Sequence, residues 1–353
     1  MLDVRAPMEF RRGAFPTATN IPLLNDSQRQ AVGRRYRQAG QEAAVTLGHD
    51  LLAGEAKAQR LHQWTAFLAA SPQAALYCFR GGLRSELVQQ WLRQTGLTVQ
   101  RVAGGYKALR RFLIDQLELS ARENSFIVVA GKTGCAKTHL LHKLPASIDL
   151  EGRANHRGSA FGKRTGGQPT QIDFENWLAV DFLKLKQTNS RLVFIEDESR
   201  AIGSLSVPLT LLEAMRSAPL AVIEEPLELR ADTILNDYII ANFEDLKSLQ
   251  GDNAFASFSD YLLTSLNKIQ RRLGPERYRQ IHQFMTVALE RQAQTGDTLQ
   301  HRAWIESLLR NYYDPMYEYQ LNKKLSRIAF RGSRQEFICW AQTLETGAQK
   351  TYK

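Results

Sequence analysis

Apolar residues follow two spacings along this chain. Unbroken runs at Phe126-Ile127-Val128-Val129, Leu192-Val193-Phe194-Ile195 and Leu220-Ala221-Val222-Ile223 predict buried strands. Leu2-Asp3-Val4, the run ending at Leu76-Tyr77, and Thr98 to Val102 predict shorter ones, the last closed by Gly104-Gly105. Helical spacing links Leu87, Val88, Trp91 and Leu92, with Ser85 as the predicted N-cap, and again Leu140, Leu141 and Leu144. Strands alternating with helices predict a parallel α/β sheet. Beyond about Asp232 the texture changes. Phe258, Leu262, Leu266, Ile269 and Leu273 step by helical intervals, and breaks at Gly274-Pro275, Gly296 and Pro315 separate further helical patterns. No internal repeat or low-complexity run interrupts the chain.

A length of 353 residues suits two or three domains, and 43% hydrophobic residues suffice for real cores. No segment is apolar enough to span a bilayer, and "MLDVRAPMEF" has neither the basic nor the apolar region of a signal peptide. Cys78, Cys135 and Cys339 are odd in number and far apart. They predict no disulfide framework and no zinc site, but a cytoplasmic protein with one working thiol. The formal net charge of +10 suits a polyanionic partner, nucleic acid first.

The working thiol is placed by "YCFRGGLRS", Tyr77 to Ser85. Cys78 ends a predicted strand and precedes a helix, where loop N–H groups and the helix dipole favour a thiolate. Arg80 and Arg84 add positive charge, and Gly81 and Gly82 let the backbone curl around an anion. Cys78-x5-Arg84-Ser85 has the spacing of a cysteine-dependent phosphatase, in which the arginine forks two phosphate oxygens. A rhodanese-type chalcogen transferase uses a closely related loop. The phosphatase reading wants a histidine where Tyr77 stands, and a leaving-group acid that the sequence does not reveal. "LDVRAPMEFRRGAFPTATNIP" resembles the opening of rhodanese domains, which favours the transferase.

A second loop, Gly131-Lys132-Thr133-Gly134-Cys135-Ala136-Lys137-Thr138, nearly fits G-x-x-x-x-G-K-[ST] between a strand and a helix. Its N–H groups would cradle phosphates, with Lys137 on their oxygens and Thr138 available to magnesium. Ala136 stands where glycine is expected, which predicts a distorted loop. Cys135 reads as a bland loop residue. "LVFIEDES" resembles a Walker B strand, with Glu196 and Asp197 at its end. A nucleoside triphosphate such as ATP or GTP, or any diphosphate, would fit such a cradle. "EGRANHRGSAFG" offers Arg153, His156 and Arg157 to the diphosphate or to RNA phosphate. Lys268, Arg271, Arg272, Arg277 and Arg279, with Tyr278 among them, suit RNA backbone and base stacking, although a solvated charged face has the same appearance.

A rhodanese-like loop followed by a P-loop unit resembles the bacterial tRNA 2-selenouridine synthase family. The resemblance spans the chain through "LDVRAP", "LGHDLLAGE", "CFRGGLRS", "GGYKALR", "TGCAKT", "DLEGRANHRGSAFG", "IEDESRAIG" and "YYDPMYEYQL". It implies an N-terminal rhodanese-like parallel-sheet domain (1–118), a P-loop-type α/β domain (119–235) and a helical C-terminal region (236–353). It also implies a substrate, the wobble 2-thiouridine of certain tRNAs, and two activities. One attaches a geranyl group from geranyl diphosphate to the sulfur. The other replaces that sulfur by selenium from selenophosphate, for which a supplying partner is expected. By resemblance Cys78 is the essential cysteine of selenation, with a perselenide as the candidate intermediate, and Gly48 and His49 fall in a shared stretch that would line a prenyl channel. Two departures stand out: Ala136, and a first strand that begins at Leu2-Asp3, where a rhodanese domain has more strand and a preceding helix. The alternatives are a cysteine phosphatase or arsenate-reductase-like enzyme fused to a nucleotide-binding unit, and an RNA-binding ATPase with a sensor thiol.

Overall fold

The computed structural model describes residues 1–188 and 191–350. Two compact units emerge, one of residues 1–117 with 170–180 and one of 118–169 with 181–353.

In the first unit the chain runs β1 (Leu2–Asp3), α1 (Pro7–Phe10), β2 (Thr19–Asn20), α2 (Asp26–Leu51), α3 (Glu55–Ala70), β3 (Ala75–Tyr77), α4 (Leu83–Gln94), β4 (Gln100–Arg101) and α5 (Gly105–Glu123). The strands form a parallel sheet in the order β2-β1-β3-β4. Leu2, Leu76, Trp64, Val88 and Leu92 are buried in its core. The Asp3-Arg5 pair of "LDVRAP" is buried too, tied by two Nε contacts at 2.9 and 3.1 Å and one from Nη2 at 2.6 Å. Arg5 also lies 3.8 Å over the Tyr106 ring, which stacks on Tyr77. A buried charge is tolerable only with such partners. This cluster fixes the carboxyl ends of β1 and β3, where the cysteine loop begins.

The predicted strand over 98–102 is shorter than expected, because only Gln100 and Arg101 pair with β3. The N-cap of α4 is Gly82 and not Ser85, which sits one turn inside the helix and is fully buried.

In the second unit β5 (Ser125–Gly131) leads into the phosphate-type loop and the short α6 (Lys137–Leu141). It continues through β6 (Ser147–Ile148), α7 (Leu150–Ala154), α8 (Gln171–Lys186), whose residues 171–180 belong to the first unit, β7 (Leu192–Glu196), a hairpin of β8 (Ala201–Ile202) and β9 (Leu205–Ser206), α9 (Leu209–Ser217) and β10 (Leu220–Ile223). The three apolar runs read as strands are β5, β7 and β10, adjacent and parallel. The helical region holds α10 (Leu227–Ile234), α11 (Ala241–Gln250), α12 (Ala254–Leu273), α13 (Pro275–Thr295), α14 (His301–Leu308) and α15 (Asp314–Asn322). The predicted stripe on α12 is buried at all five positions, packed with Ile281, Met285, Trp304 and Leu308.

The helical texture does not run to the end. β11 (Ile328–Gly332) returns to pair with β10, and α16 (Arg334–Lys350) follows. The sheet order is β11-β10-β5-β7-β6. An edge strand with alternating half-exposed positions leaves no apolar run to read.

Candidate functional site

The cysteine loop is shaped by two glycines. Gly81 adopts φ +68°, and Gly105, at φ +59°, lies against the loop so closely that a Cβ there would sit 2.3 Å from the Cys78 carbonyl and 2.4 Å from the Gly81 nitrogen. Tyr106 N donates to Cys78 O and Lys107 N to Phe79 O, each at 2.9 Å, so "GGYKALR" clamps the loop. Cys78 is buried. Its Sγ is hydrogen-bonded to Ser85 Oγ at 3.2 Å. Burial alone would raise the thiol pKa. The Ser85 hydroxyl, the backbone N–H groups of Ser85 and Arg80, and the Arg84 charge outweigh burial and bring it below the ordinary thiol value.

Arg84 departs from its expected role. Its guanidinium is forked onto Glu9, at 2.6 and 3.1 Å, and not turned into the loop. Glu9 comes from α1, and Arg84 holds its carboxyl below the ordinary range despite burial. Arg84 therefore acts on Cys78 through its field and fixes α1 beneath the loop. Arg80 is exposed and makes no ion pair among the described residues.

The second loop carries its phosphate-type shape. Gly134 has φ +87°, and Ala136 is held at φ +53°, ψ +38°, the left-handed region the sequence warned of. The loop is pinned from behind. Arg230 donates to Thr133 O at 3.3 Å while forked onto Asp314 at 2.8 and 2.7 Å, and Lys132 pairs with Glu318 at 2.6 Å. Cys135 faces the core, its thiol 3.5 Å from Ile223 O, and burial pushes its pKa up.

Gly131, Thr133, Gly134, Ala136, Lys137 and Thr138 line a cavity of about 860 Å³. Lys137 Nζ rests on Gly131 O at 3.2 Å. Burial opposes its charge, but Glu151 and neighbouring acids hold it above the ordinary lysine value. Thr138 donates to Glu196 at 2.7 Å, and the other Glu196 oxygen accepts from Glu151 N at 2.9 Å. Burial first, then Glu151, raises Glu196 to about 8. Asp197 lines the cavity and pairs with Lys324 at 2.8 Å. Two π-helical turns, Leu235–Ile240 and Leu309–Tyr313, supply Asp237, Tyr238 and Tyr313 to the wall. Such turns recur at functional sites.

Of the other predicted contacts, Arg157 and Arg272 line this cavity. Arg153 does not, being paired with Asp181 at 2.6 Å. His156 Nδ1 accepts from Gly158 N, and its pKa is lowered by burial and by Lys268 and Arg164. Arg271 and Arg277 are exposed either side of the α12–α13 turn, with Arg277 donating to Asn311 O at 3.3 Å. Gly48 and His49 lie on α2 of the first unit, outside the cavity lining. The sequence reading missed Glu151 and Glu198, both half-buried at the cavity, and Arg164. Glu198 had no periodic signal: β7 ends at Glu196, and the chain turns there, with Glu198 N donating to Glu196 O at 3.0 Å.

A family model described as "tRNA 2-selenouridine synthase AAA domain" matches residues 124–347. A tRNA 2-selenouridine synthase of Pseudomonas fluorescens is 49% identical over 332 residues, 94% of this chain and 91% of its own. One from Pseudomonas aeruginosa is 49% identical over 96% of this chain and 92% of its own, and one from Marinobacter nauticus 46% over 97% and 94%. With a thiol cradle in one unit and a phosphate-type loop in the other, matched across nearly its whole length, the chain belongs to the tRNA 2-selenouridine synthase family.

Proposed function

We propose that this chain is a tRNA-modifying transferase that converts wobble 2-thiouridine to 2-selenouridine through an S-geranyl intermediate, and that its two loops divide the work. The observation that carries this reading is the polarised Cys78 in an amide cradle, on a chain that separately holds Lys137 over a cavity large enough for a prenyl diphosphate.

In the first step the 2-thiouridine sulfur attacks C1 of geranyl diphosphate. The carbon–oxygen bond breaks, diphosphate departs, and the base loses its N3 proton. Charge develops on the departing oxygens, where Lys137 and the loop N–H groups contribute most. A magnesium ion carried with the diphosphate would be held by Thr138 and Glu196. That donor set is all oxygen and suits the ion. Phosphate oxygens would complete its shell, since no cluster of three or more acidic, His or Cys side chains among the described residues is arranged to hold a metal.

In the second step a selenium nucleophile derived from selenophosphate attacks C2, and geranyl thiol leaves. A bare thiocarbonyl sulfur is a poor leaving group, which gives the alkylation its purpose. Cys78, held toward thiolate, attacks the phosphorus of the donor; the P–Se bond breaks, selenide is freed to attack C2, and water then releases phosphate from the sulfur. Arg80 would meet the phosphate of the donor. Against the phosphatase reading stands Arg84, whose fork is occupied by Glu9.

Nucleosides from tRNA of cells with and without this chain, resolved by mass spectrometry, test the reading. Expected are 2-selenouridine only where the chain is present and S-geranyl-2-thiouridine where selenium is withheld. Unchanged nucleosides would overturn it. No helix among the described residues is long and apolar enough to cross a membrane.

A further inference from the structure

Several arginines of the second unit are held by carboxylates. Arg153, Arg230 and Arg302 each face a carboxylate, from Asp181, Asp314 and Asp232 respectively. Arg157 and Arg164 do not. Neither makes an ion pair among the described residues, and Arg157 Nη1 and Arg164 Nε are buried donors with no hydrogen-bond partner. Arg230 and Arg334 also leave one nitrogen unmatched, but each keeps a carboxylate. Both unpaired arginines line the cavity that the phosphate-type loop opens into.

Their position is built. His156 and Lys163 form an antiparallel bridge, and Arg157 N donates to Gly162 O at 2.8 Å, closing a tight hairpin. The hairpin is anchored by Phe161, which stacks on Trp304 and whose carbonyl accepts from the Tyr261 hydroxyl. Arg157 lies 5.0 Å over the Tyr238 ring, and Tyr238 Oη donates to Arg157 O at 3.3 Å. A guanidinium fixed in this way cannot swing out to find water. The carboxylates nearest the hairpin, Glu151 and Glu198, pack against Gly158 and form no ion pair with either arginine among the described residues; burial raises both, and Arg164 acts on Glu151 through its charge.

Buried charged donors without partners are costly, and a fold keeps them where an anion completes them. The guanidinium fork matches two oxygens of a phosphate. We propose that Arg157 and Arg164 form a second phosphate subsite in this cavity, distinct from the Lys137 loop, with exposed Arg272 at its rim adding field. The subsite stands whichever diphosphate the loop carries. Its phosphate comes either from the far end of the small ligand or from the backbone of an RNA strand drawn into the cavity.

The test uses the full chain and two probes, inorganic diphosphate by calorimetry and an anticodon stem-loop RNA by a salt-dependent binding isotherm. Arg157→Gln and Arg164→Gln are compared with wild type and Lys137→Ala, with melting curves to verify folding. Charge-keeping Arg→Lys variants, which lose only the fork, carry the same comparison should a Gln variant not fold. A loss of about tenfold or more is expected in one arm, the size of a lost charge-assisted contact. Loss in the diphosphate arm alone assigns the subsite to the small ligand. Loss in the RNA arm, with a salt slope smaller by about one, assigns it to RNA phosphate. Both affinities within about twofold of wild type in folded variants would overturn the subsite, since a buried charged contact contributes more than that. If Lys137→Ala leaves diphosphate binding intact while the arginine variants lose it, the loop reading fails and the subsite stands.

Discussion

Cys78 shows how the thiol of a buried residue can be held toward thiolate. Its neighbours are apolar on the core side, yet a hydroxyl and two backbone N–H groups converge on the sulfur. The pH at which its alkylation by iodoacetamide is half-maximal should lie below that of an ordinary thiol. Ser85→Ala removes the strongest of the favourable contacts and should move the midpoint upward. An unshifted midpoint would mean the hydroxyl does not act on the sulfur. Ala136 is the other residue where chemistry and conformation disagree. A left-handed alanine costs about 1–2 kcal/mol. Ala136→Gly should therefore raise stability by about 1 kcal/mol in a denaturant titration. A lower midpoint would show that the alanine methyl makes a contact that outweighs the strain. Both residues were legible in the sequence, because "CFRGGLRS" and "TGCAKT" carry their chemistry locally. Arg84 was not, since its partner Glu9 lies 75 positions away, and no spacing rule connects them. Arg164 was not either: what marks it is a missing partner, and only the folded chain shows that.

At the scale of elements, strands buried on both faces were readable, and those at edges were not. β5, β7 and β10 are continuous apolar runs because neighbours cover both faces. β11, at the sheet edge, alternates half-exposed and exposed residues and hides among helical patterns. Loops behave likewise. The cysteine loop owes its shape to a contact from a distant element, the start of α5. Gly105→Ala forces a Cβ into backbone atoms of residues 78 and 81 at a positive φ, so the loop must open. Displacing a reacting group by about 1 Å costs on the order of 10²-fold. Selenation should fall by at least that much while the far-ultraviolet circular dichroism stays unchanged. Full activity in this variant would mean the clamp is not needed.

Across the whole molecule, the excess of ten positive charges is the feature that composition alone could interpret. If RNA phosphates are its partners, tRNA affinity should fall steeply between low and physiological salt, with a log–log slope of several units, because each neutralised phosphate releases counterions. A flat response would mean the charge serves something else. The division of labour between the loops is the central claim, and it is tested most directly by measuring the two half-reactions separately in Lys137→Ala and Cys78→Ser, with and without ATP. Lys137→Ala should slow geranylation by about two to three orders of magnitude, since one donor to a developing charge contributes up to ~3–4 kcal/mol. It should leave selenation of an already geranylated tRNA largely intact. Cys78→Ser should do the reverse, with tRNA binding retained. Normal geranylation by Lys137→Ala, or equal loss of both steps with an ATP requirement, would contradict the account.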